Sequence, residues 1–474
     1  MERQRSSSYL RTLLFALCVS SCCCSFFGDS HEEATSAARP SGSNYYYNMG
    51  GYPSYFGTIG EVGGGGAGGQ GLMETDFAAA MGFESEILSL EGFGAPDSSC
   101  PKAVSVDDYG AKGDGTTDDT KAFQTAWAKA CSSSPAPVMV VPANKNYLLK
   151  QITFSGPCKS SITLKIDGTI HASSNINDWD GLNRRHWILF QKVANLTVQG
   201  SGTINGNGEI WWENSCKRDK SKPCKPAPTA MTFYSCNNLM VSNLRIKDSQ
   251  QIHVSFERCV NVQASNLMIT APESSPNTDG IHVTATQNIR IMNSVIRTGD
   301  DCISIVSGAR NVKATDITCG PGHGISIGSL GDGKQEDHVS DVVVDGAKLT
   351  GTTNGVRIKT WVGGSGNAKN IQFLNIAVSN VTYPIIIDQD YCDSNKPCPE
   401  QGSAVEVSNV VYKNIKGTSA SDVAIKFDCS KSVPCHGIVL QDVNLVRDEG
   451  EAAKTECRNV IGSSRGQIAP PSCF

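Results

Sequence analysis

The stretch Asn288-Ile289-Arg290-Ile291 is one copy of a short pattern that recurs through the second half of the chain. In each copy an Asn or similar polar residue is followed by apolar residues at alternate positions, which is typical of a half-buried β-strand. The other copies are Asn238-Leu239-Met240-Val241, Asn261-Val262-Gln263-Ala264, Asn311-Val312-Lys313-Ala314 and Asn370-Ile371-Gln372-Phe373. The first four copies begin 23, 27 and 23 residues apart, which is the length of one coil of a parallel β-helix.

The repeat therefore predicts an all-β fold, a right-handed parallel β-helix in which Leu239, Val241, Ile289 and Ile291 point inward. A leucine-rich repeat has a similar period, but its Leu-dense consensus is missing here. A propeller would need about 40 residues per blade. The 47 glycines and the charged fraction of only 18% agree with many turns and few long helices.

A short helix is expected at the amino end of this solenoid. Thr117 or Asp118 is a candidate N-cap, and the helical pattern of apolar residues ends at Cys131. The apolar stripe of this helix is Ala122, Phe123, Ala126, Trp127 and Ala130. Such a helix would cover the first coil, whose apolar side chains and unpaired strand edges are otherwise exposed.

The first 98 residues of the sequence have a different character. Residues 1–27 place Arg3, Arg5 and Arg11 before a short apolar run, which predicts a signal peptide and a soluble, secreted product. Residues 28–98 are rich in Gly and Tyr and are interpreted as a low-complexity extension or pro-segment. Residues 99–474 form the predicted β-helix domain, and no later stretch is long and apolar enough for a membrane helix.

Of the 19 cysteines, four lie in the predicted signal peptide, and the 15 others fit an oxidising compartment. The short-range disulfide candidates are Cys131 with Cys158, Cys216 with Cys224, Cys302 with Cys319, Cys392 with Cys398, Cys429 with Cys435, and Cys457 with Cys473. Cys100, Cys236 and Cys259 remain, so at least one thiol is unpaired. No His/Cys cluster has metal-ligand spacing. Sequons at Asn195 and Asn380 predict a glycoprotein.

Four polar clusters stand out between residues 277 and 359. They are Asn277-Thr278-Asp279-Gly280, Gly299-Asp300-Asp301-Cys302, Gly322-His323-Gly324 and Arg357-Ile358-Lys359. Asp279 lies 21 residues before Asp300, and Asp301 lies 22 residues before His323. These gaps match one coil, so we expect the clusters to stack on one face and converge on one groove.

Three neighbouring carboxylates raise one another's pKa, so one can act as an acid while another acts as a base, as glycoside hydrolysis requires. Asp300 and Asp301 are consecutive, and a bend at Gly299 must turn both toward the groove. His323 could hydrogen-bond an aspartate, and its flanking glycines could let a polysaccharide approach. Arg357 and Lys359 point the same way on a strand and suggest recognition of an anionic sugar.

The four clusters closely resemble those of the polygalacturonase family of plant and microbial glycoside hydrolases, and the resemblance covers about residues 100–474. It implies that Asp300 protonates the leaving oxygen while Asp279 and Asp301 activate water, with inversion at the anomeric carbon. It further implies that His323 supports Asp300. Substrate contacts are implied for Asn277, Arg357, Lys359 and Tyr391.

The resemblance thus implies a secreted, monomeric cell-wall hydrolase of α-1,4-galacturonosyl bonds in pectin, with no metal and no cofactor. Several alternatives remain open, namely action on rhamnogalacturonan or xylogalacturonan, a lyase of the same fold, and a non-enzymatic pectin-binding wall protein. A net charge of −5 argues against a nucleic-acid partner. The basic stretch from Lys217 to Lys225 either extends the groove or is simply solvated.

Overall fold

A computed structural model describes residues 102–474 apart from 182, 394–397, 399–401 and 403. The expected signal peptide and the Gly/Tyr-rich extension lie outside these residues, as does Cys100. The described helices are α1 (Thr120–Cys131) and α2 (Glu209–Glu213), with 3₁₀ turns at Val106–Tyr109, Ile176–Trp179 and Asp332–Lys334. None of them is long and apolar enough to cross a membrane.

Strands make up most of the described chain. The strands of the first half are β1 (Ala103–Ser105), β2 (Asp114–Asp118), β3 (Val138–Val141), β4 (Asn146–Leu149), β5 (Ile152–Ser155), β6 (Ile162–Ile166), β7 (Thr169–Ala172), β8 (His186–Gln191), β9 (Leu196–Gln199), β10 (Thr203–Asn205), β11 (Thr229–Tyr234), β12 (Asn237–Ser242), β13 (Arg245–Lys247), β14 (Val254–Glu257), β15 (Val260–Ser265) and β16 (Met268–Thr270). Those of the second half are β17 (Ile281–Thr284), β18 (Gln287–Met292), β19 (Val295–Arg297), β20 (Ile303–Ile305), β21 (Arg310–Thr315), β22 (Thr318–Cys319), β23 (Ile325–Leu330), β24 (Glu336–Asp345), β25 (Lys348–Thr350), β26 (Asn354–Trp361), β27 (Ser365–Val381), β28 (Tyr383–Tyr391), β29 (Glu406–Ser419), β30 (Val423–Asp428), β31 (Cys435–Arg447), β32 (Lys454–Arg458) and β33 (Val460–Ala469).

The strands stack in parallel, coil upon coil, and confirm the predicted right-handed parallel β-helix. The groove sheet, as we call it, has 11 strands in the order β5, β8, β11, β14, β17, β20, β23, β26, β28, β30 and β32. The other 22 strands form the remaining two faces, which join where the long strand β27 pairs with both β24 and β25. Each coil therefore contributes one strand to the groove sheet.

The core is a set of side-chain columns that follow this register. In the groove sheet Phe190, Phe233 and Phe256 are aligned, and their rings stack at centroid distances of 4.9 and 5.4 Å. The inward residues predicted from the repeat, Leu239, Val241, Ile289 and Ile291, are all buried. Alternation along each strand thus supplies an apolar interior without long hydrophobic runs.

Helix α1 covers the first coils, as expected, with its predicted apolar stripe buried. Trp127 packs on Phe154 at a centroid distance of 4.9 Å, at the start of the aromatic stack. The predicted N-cap was wrong, because the cap residue is Asp119 and its side chain does not cap the helix. Its carboxylate instead accepts hydrogen bonds from the backbone N–H groups of Lys112 and Gly113, at 2.7 and 3.1 Å.

The repeated asparagines form a ladder along one corner of the solenoid. Each side-chain amide donates to the side-chain oxygen one coil earlier, as in Asn261 to Asn238 at 3.0 Å and Asn288 to Asn261 at 3.1 Å. These residues have a positive φ, +59° at Asn261, a conformation that Asn tolerates better than most residues. The ladder thus holds the turn that starts each coil.

All six predicted disulfides are present. Cys236 and Cys259 are free and buried. The sequon residues Asn195 and Asn380 are both exposed, and their glycosylation stays a prediction.

Replacing Asn261 by Ala should lower the free energy of unfolding by about 2 kcal/mol, because it removes two ladder hydrogen bonds and places a Cβ in a left-handed turn. Asn261→Gly keeps the turn and should cost about half as much. Urea denaturation of the two variants measures both values. Unchanged midpoints in both would show that the ladder contributes nothing to stability.

Candidate active site

A cavity of about 510 Å³ lies along the middle of the groove sheet. Loops that precede the strands form one wall, and loops that follow them form the other. All eight site residues predicted from the sequence line this cavity, namely Asn277, Asp279, Asp300, Asp301, His323, Arg357, Lys359 and Tyr391. The four clusters therefore lie along one groove, as the sequence predicted.

The strand register brings the clusters together. Ile281 pairs with Ile303, and Ile303 pairs with Ile325. Asp279, Asp301 and His323 each lie two residues before one of these partners, so the three residues stack on successive coils at about 4.8 Å spacing. The 22-residue period is thus the direct cause of the site.

A bend at Gly299 and Asp300 turns both consecutive aspartates into the cavity, as the sequence required. Gly299 is needed for close approach, since a Cβ there would lie 2.0 Å from the carbonyl oxygen of Ser275. The bend is held by the side chain of Asp300, whose Oδ1 accepts from the backbone N–H of Asp301 at 2.8 Å. The two carboxylates therefore occupy different positions in the groove.

The glycines beside His323 are required by the stacking of the coils, and the predicted approach of a polysaccharide to them stays a prediction. A Cβ at Gly322 would lie 2.6 Å from the carbonyl oxygen of Asp300, and a Cβ at Gly324 would lie 2.0 Å from that of Asn354. Both have a positive φ, +143° and +89°. They let the loop carrying His323 sit tightly between the neighbouring coils.

Asp301 is the buried anion of the site. Its Oδ1 accepts from Ser326 Oγ at 2.7 Å and from Arg357 Nη2 at 2.8 Å, and its Oδ2 accepts from Lys359 Nζ at 2.9 Å. Burial opposes ionisation, but the charges of Lys359 and Arg357 outweigh it and hold the pKa of Asp301 below its usual range. Asp301 is thus ionised at neutral pH, with one acceptor position left on Oδ2.

Asp279 has the opposite electrostatics. Burial, together with the negative charges of Asp300 and Asp301, raises its pKa well above the usual value. The hydroxyl of Ser304 hydrogen-bonds Asp279 and lies 2.8 Å from His282 Nδ1. Burial lowers the pKa of His282 to about 4, so this imidazole is neutral.

Asp300 is paired with a titratable group. His323 Nδ1 lies 2.9 Å from Asp300 Oδ1, which confirms the predicted contact. Burial lowers the pKa of His323, but the hydrogen bond and the charge of Asp300 outweigh it and raise the pKa overall. The side chain of Asp300 is 16% exposed while that of Asp301 is 1% exposed, so Asp300 is the more accessible of the two.

The aromatic side of the cavity is built on Lys359. Tyr391 places its ring centroid 5.3 Å from Lys359 Nζ and packs edge-on against Trp361 at 5.2 Å. Burial raises the pKa of the Tyr391 phenol. Tyr391 is therefore a neutral wall of the cavity and not only a residue packed beside a disulfide.

Within the described residues, the only cluster of metal-type donors is Asp300, Asp301 and His323, whose nearest donor atoms lie within 4.8 Å of one another. Both oxygens of Asp301 already accept from cationic side chains. Two positive charges this close oppose the binding of a metal cation. The donor set is therefore a poor fit to a metal site.

Sequence reasoning missed the cavity residues His282, Ser304 and Trp361, and it missed Ser326, which hydrogen-bonds Asp301 and Arg357. His282 aligns with Ser304, and Ser304 aligns with Ser326. Each lies three residues after Asp279, Asp301 or His323, so the same 22-residue period could have identified them. Trp361 carries no comparable signal, because it is the last residue of β26, in a coil of a different length.

A family model described as "Glycosyl hydrolases family 28" matches residues 131–467. A polygalacturonase from Persea americana is 62% identical over 413 residues, which cover 86% of this chain and 86% of the relative. Polygalacturonase-2 from Solanum lycopersicum is 58% identical over 396 residues, covering 83% and 86%.

Solved structures show the same fold. An endo-xylogalacturonan hydrolase from Aspergillus tubingensis superposes with a TM-score of 0.65 at 25% identity, covering 77% of this chain and 100% of that chain. A polygalacturonase from Erwinia carotovora ssp. carotovora gives a TM-score of 0.64 at 22% identity, covering 78% and 99%. This second likeness supports the fold alone.

Lys359→Met should lower the free energy of unfolding by about 3 kcal/mol or more, because it leaves Asp301 buried without one of its cations. In the Asp301→Asn background the same change should cost less than half of this. Urea denaturation at pH 7 of both singles and the double variant gives the coupling. The exposed Lys313→Met is the matched control, and equal costs in the two backgrounds would contradict the pairing.

Asp300→Asn should lower the pKa of the His323 imidazole, since burial then acts without the opposing negative charge. Because His323 has a raised pKa in the folded chain, its ion pair stabilises the fold fully below about pH 6.5 and is lost as the pH rises through the folded value. NMR titration of the imidazole measures the shift. The variant should also lose more stability at pH 5.5 than at pH 8.5, and an unchanged imidazole pKa would refute the coupling.

Proposed function

The chain belongs to glycosyl hydrolases family 28, and on that premise we propose that it hydrolyses α-1,4 bonds between galacturonate residues of pectin (homogalacturonan). The observation that carries the proposal is one groove in which three carboxylates lie beside Arg357 and Lys359. Carboxylates supply the acid and base of glycoside hydrolysis, and the cations suit a polyanionic sugar chain.

Asp301 fits the role of the base. It is ionised and has one acceptor position left, which can orient a water molecule and take its proton. Asp279 helps to position the same water, and its raised pKa makes it a site where a proton can be shared. The hydroxyl oxygen then bonds to the anomeric carbon as the bond from that carbon to the leaving oxygen breaks.

Asp300 fits the role of the acid that protonates the leaving oxygen. It is more accessible than Asp301, and its partner is the titratable imidazole of His323, whereas the partners of Asp301 are an arginine and a lysine. Once Asp300 has donated its proton, the His323 imidazole can stabilise the resulting carboxylate. His323 is therefore a positioning residue for the acid.

We propose inversion at the anomeric carbon. The nearest donor atoms of Asp300 and Asp301 lie within 4.8 Å, a spacing shorter than the 6.5 to 9.5 Å usual for inverting enzymes. Three hydrogen bonds to Asp301, two of them from cations, nevertheless weaken it as a direct nucleophile. A single remaining acceptor position suits a water molecule, in line with the resemblance to inverting enzymes.

Arg357 and Lys359 retain hydrogen-bond donors that a substrate carboxylate can use. Arg357 uses Nε on Ser326 and Nη2 on Asp301, which leaves its Nη1 donors, and Lys359 uses one of its three donors on Asp301. These two cations bind a galacturonate carboxylate in our proposal. Asn277 and Tyr391 line the same cavity and contact the sugar ring.

We further propose that the protein is secreted and acts as a monomer in the extracellular cell wall. It needs no metal or organic cofactor in this proposal. A chelator should therefore leave the reaction rate unchanged. A lyase of this fold would lose activity with calcium removed and would form unsaturated products absorbing near 235 nm. A non-enzymatic pectin-binding wall protein would bind without turnover.

The decisive test is a defined galacturonate oligomer followed by chromatography and NMR. Saturated shorter oligomers with an inverted anomeric configuration are expected, formed at least tenfold faster than products from rhamnogalacturonan or xylogalacturonan. Unsaturated products would refute hydrolysis. A faster reaction on either of the other two polymers would refute the proposed substrate.

Asp300→Asn provides the control for mechanism. It should reduce turnover of the oligomer by about 10³-fold or more while binding persists. A galacturonosyl fluoride, whose leaving group needs no proton, should retain much of its rate in this variant and lose it in Asp301→Asn. If the fluoride instead lost its rate in Asp300→Asn and kept it in Asp301→Asn, Asp301 would be the acid and Asp300 the base.

A further inference from the structure

Two disulfide-closed loops leave the groove sheet at opposite ends of its strands. The Cys216–Cys224 loop lies between β10 and β11 and so enters at the amino end of β11. Cys392, bonded to Cys398, follows the carboxyl end of β28. Lys217 and Asp393 each follow the first cysteine of a pair, and they form an ion pair with each other.

This contact requires the side chains of Lys217 and Asp393 to reach toward each other over the groove. In the groove sheet β14, β17, β20, β23 and β26 lie between β11 and β28, a separation of about 29 Å at the usual strand spacing. Asp279, Asp301 and His323 immediately precede β17, β20 and β23. Lys217 and Asp393 must therefore meet above β17, β20 and β23, the strands that the proposed catalytic residues precede.

Both side chains face the same space as the catalytic residues. Lys217 and Asp393 line the cavity that also contains Asp279, Asp300 and Asp301. Their side chains are 25% and 47% exposed, so a ligand and solvent can reach both. We call this ion pair the bridge.

The bridge is an ion pair between the carboxylate of Asp393 and the ammonium group of Lys217. A galacturonate carboxylate in the groove would offer Lys217 the same partner that Asp393 now supplies. Exposed ion pairs contribute little net free energy, so the exchange of one carboxylate for another is easy. Asp393 would at the same time repel the incoming polyanion.

Building on the proposed function, we propose that Lys217 is a specificity residue that binds a galacturonate carboxylate in exchange for Asp393. A methyl-esterified galacturonate is uncharged at this group and cannot displace Asp393. The bridge thus opens for a free acid and stays closed to an ester at that position of the substrate. Lys217 thereby favours de-esterified pectin.

Binding tests the exchange without turnover. In the Asp300→Asn background, Lys217→Met should weaken binding of hexagalacturonate by about tenfold and binding of its methyl ester by less than twofold. Asp393→Asn should tighten binding of the free acid by about threefold, because the competing carboxylate is gone. Calorimetry measures both changes. Lys220→Met, an exposed lysine of the same loop, is the control and should change neither.

Equal losses for acid and ester in Lys217→Met would overturn the proposal, as would weaker binding of the acid in Asp393→Asn. So would a Lys217→Met variant that matches Lys220→Met. In the otherwise unchanged enzyme, Lys217→Met should raise KM on polygalacturonate while kcat stays within about twofold. It should also flatten the dependence of KM on the degree of esterification.

The two hypotheses fail separately. Absence of turnover in the unaltered protein would refute the proposed function, but the binding measurements would still report on Lys217. Normal turnover with no selective effect of Lys217→Met would refute the bridge alone.

Discussion

Backbone hydrogen bonding between parallel strands in register is the interaction on which this molecule depends. Neighbouring coils form their hydrogen bonds only when equivalent residues are aligned. A residue type that recurs at one position of the repeat therefore forms a column of side chains through several coils. The same constraint produces the phenylalanine stack inside, the asparagine ladder at a corner and the aspartate-histidine column in the groove. Stability and site geometry therefore share one origin.

Charge balance in the groove is the second organising feature. Arg357 and Lys359 keep one carboxylate ionised, and this fixed anion helps to raise the pKa of Asp279. His323 leaves Asp300 with a partner that can change its own charge. The pKa of Asp279 is thus raised while that of Asp301 is lowered, and such a difference between neighbouring carboxylates is what a division of proton-transfer roles requires.

Much of the fold and of the candidate site could be predicted from the sequence, because residues one repeat apart in the chain lie next to each other in the solenoid. The 22-residue gap alone predicts that Asp301 lies beside His323, and alternation along the strand predicts that Ile289 and Ile291 point inward. The helix cap was not accessible, because the carboxylate of Asp119 is used by the preceding loop. The bridge was not accessible either, since Lys217 and Asp393 lie in long loops outside the periodic strands.

The disulfides connect only near neighbours in the chain. The six described bonds join cysteines 6 to 27 residues apart, so none of them links distant coils. A chain emerging during synthesis can close each bond within roughly one coil of the growing end, without waiting for the carboxyl terminus. The solenoid can in this way be locked progressively, from its capped first coil onward, in the order in which it is made.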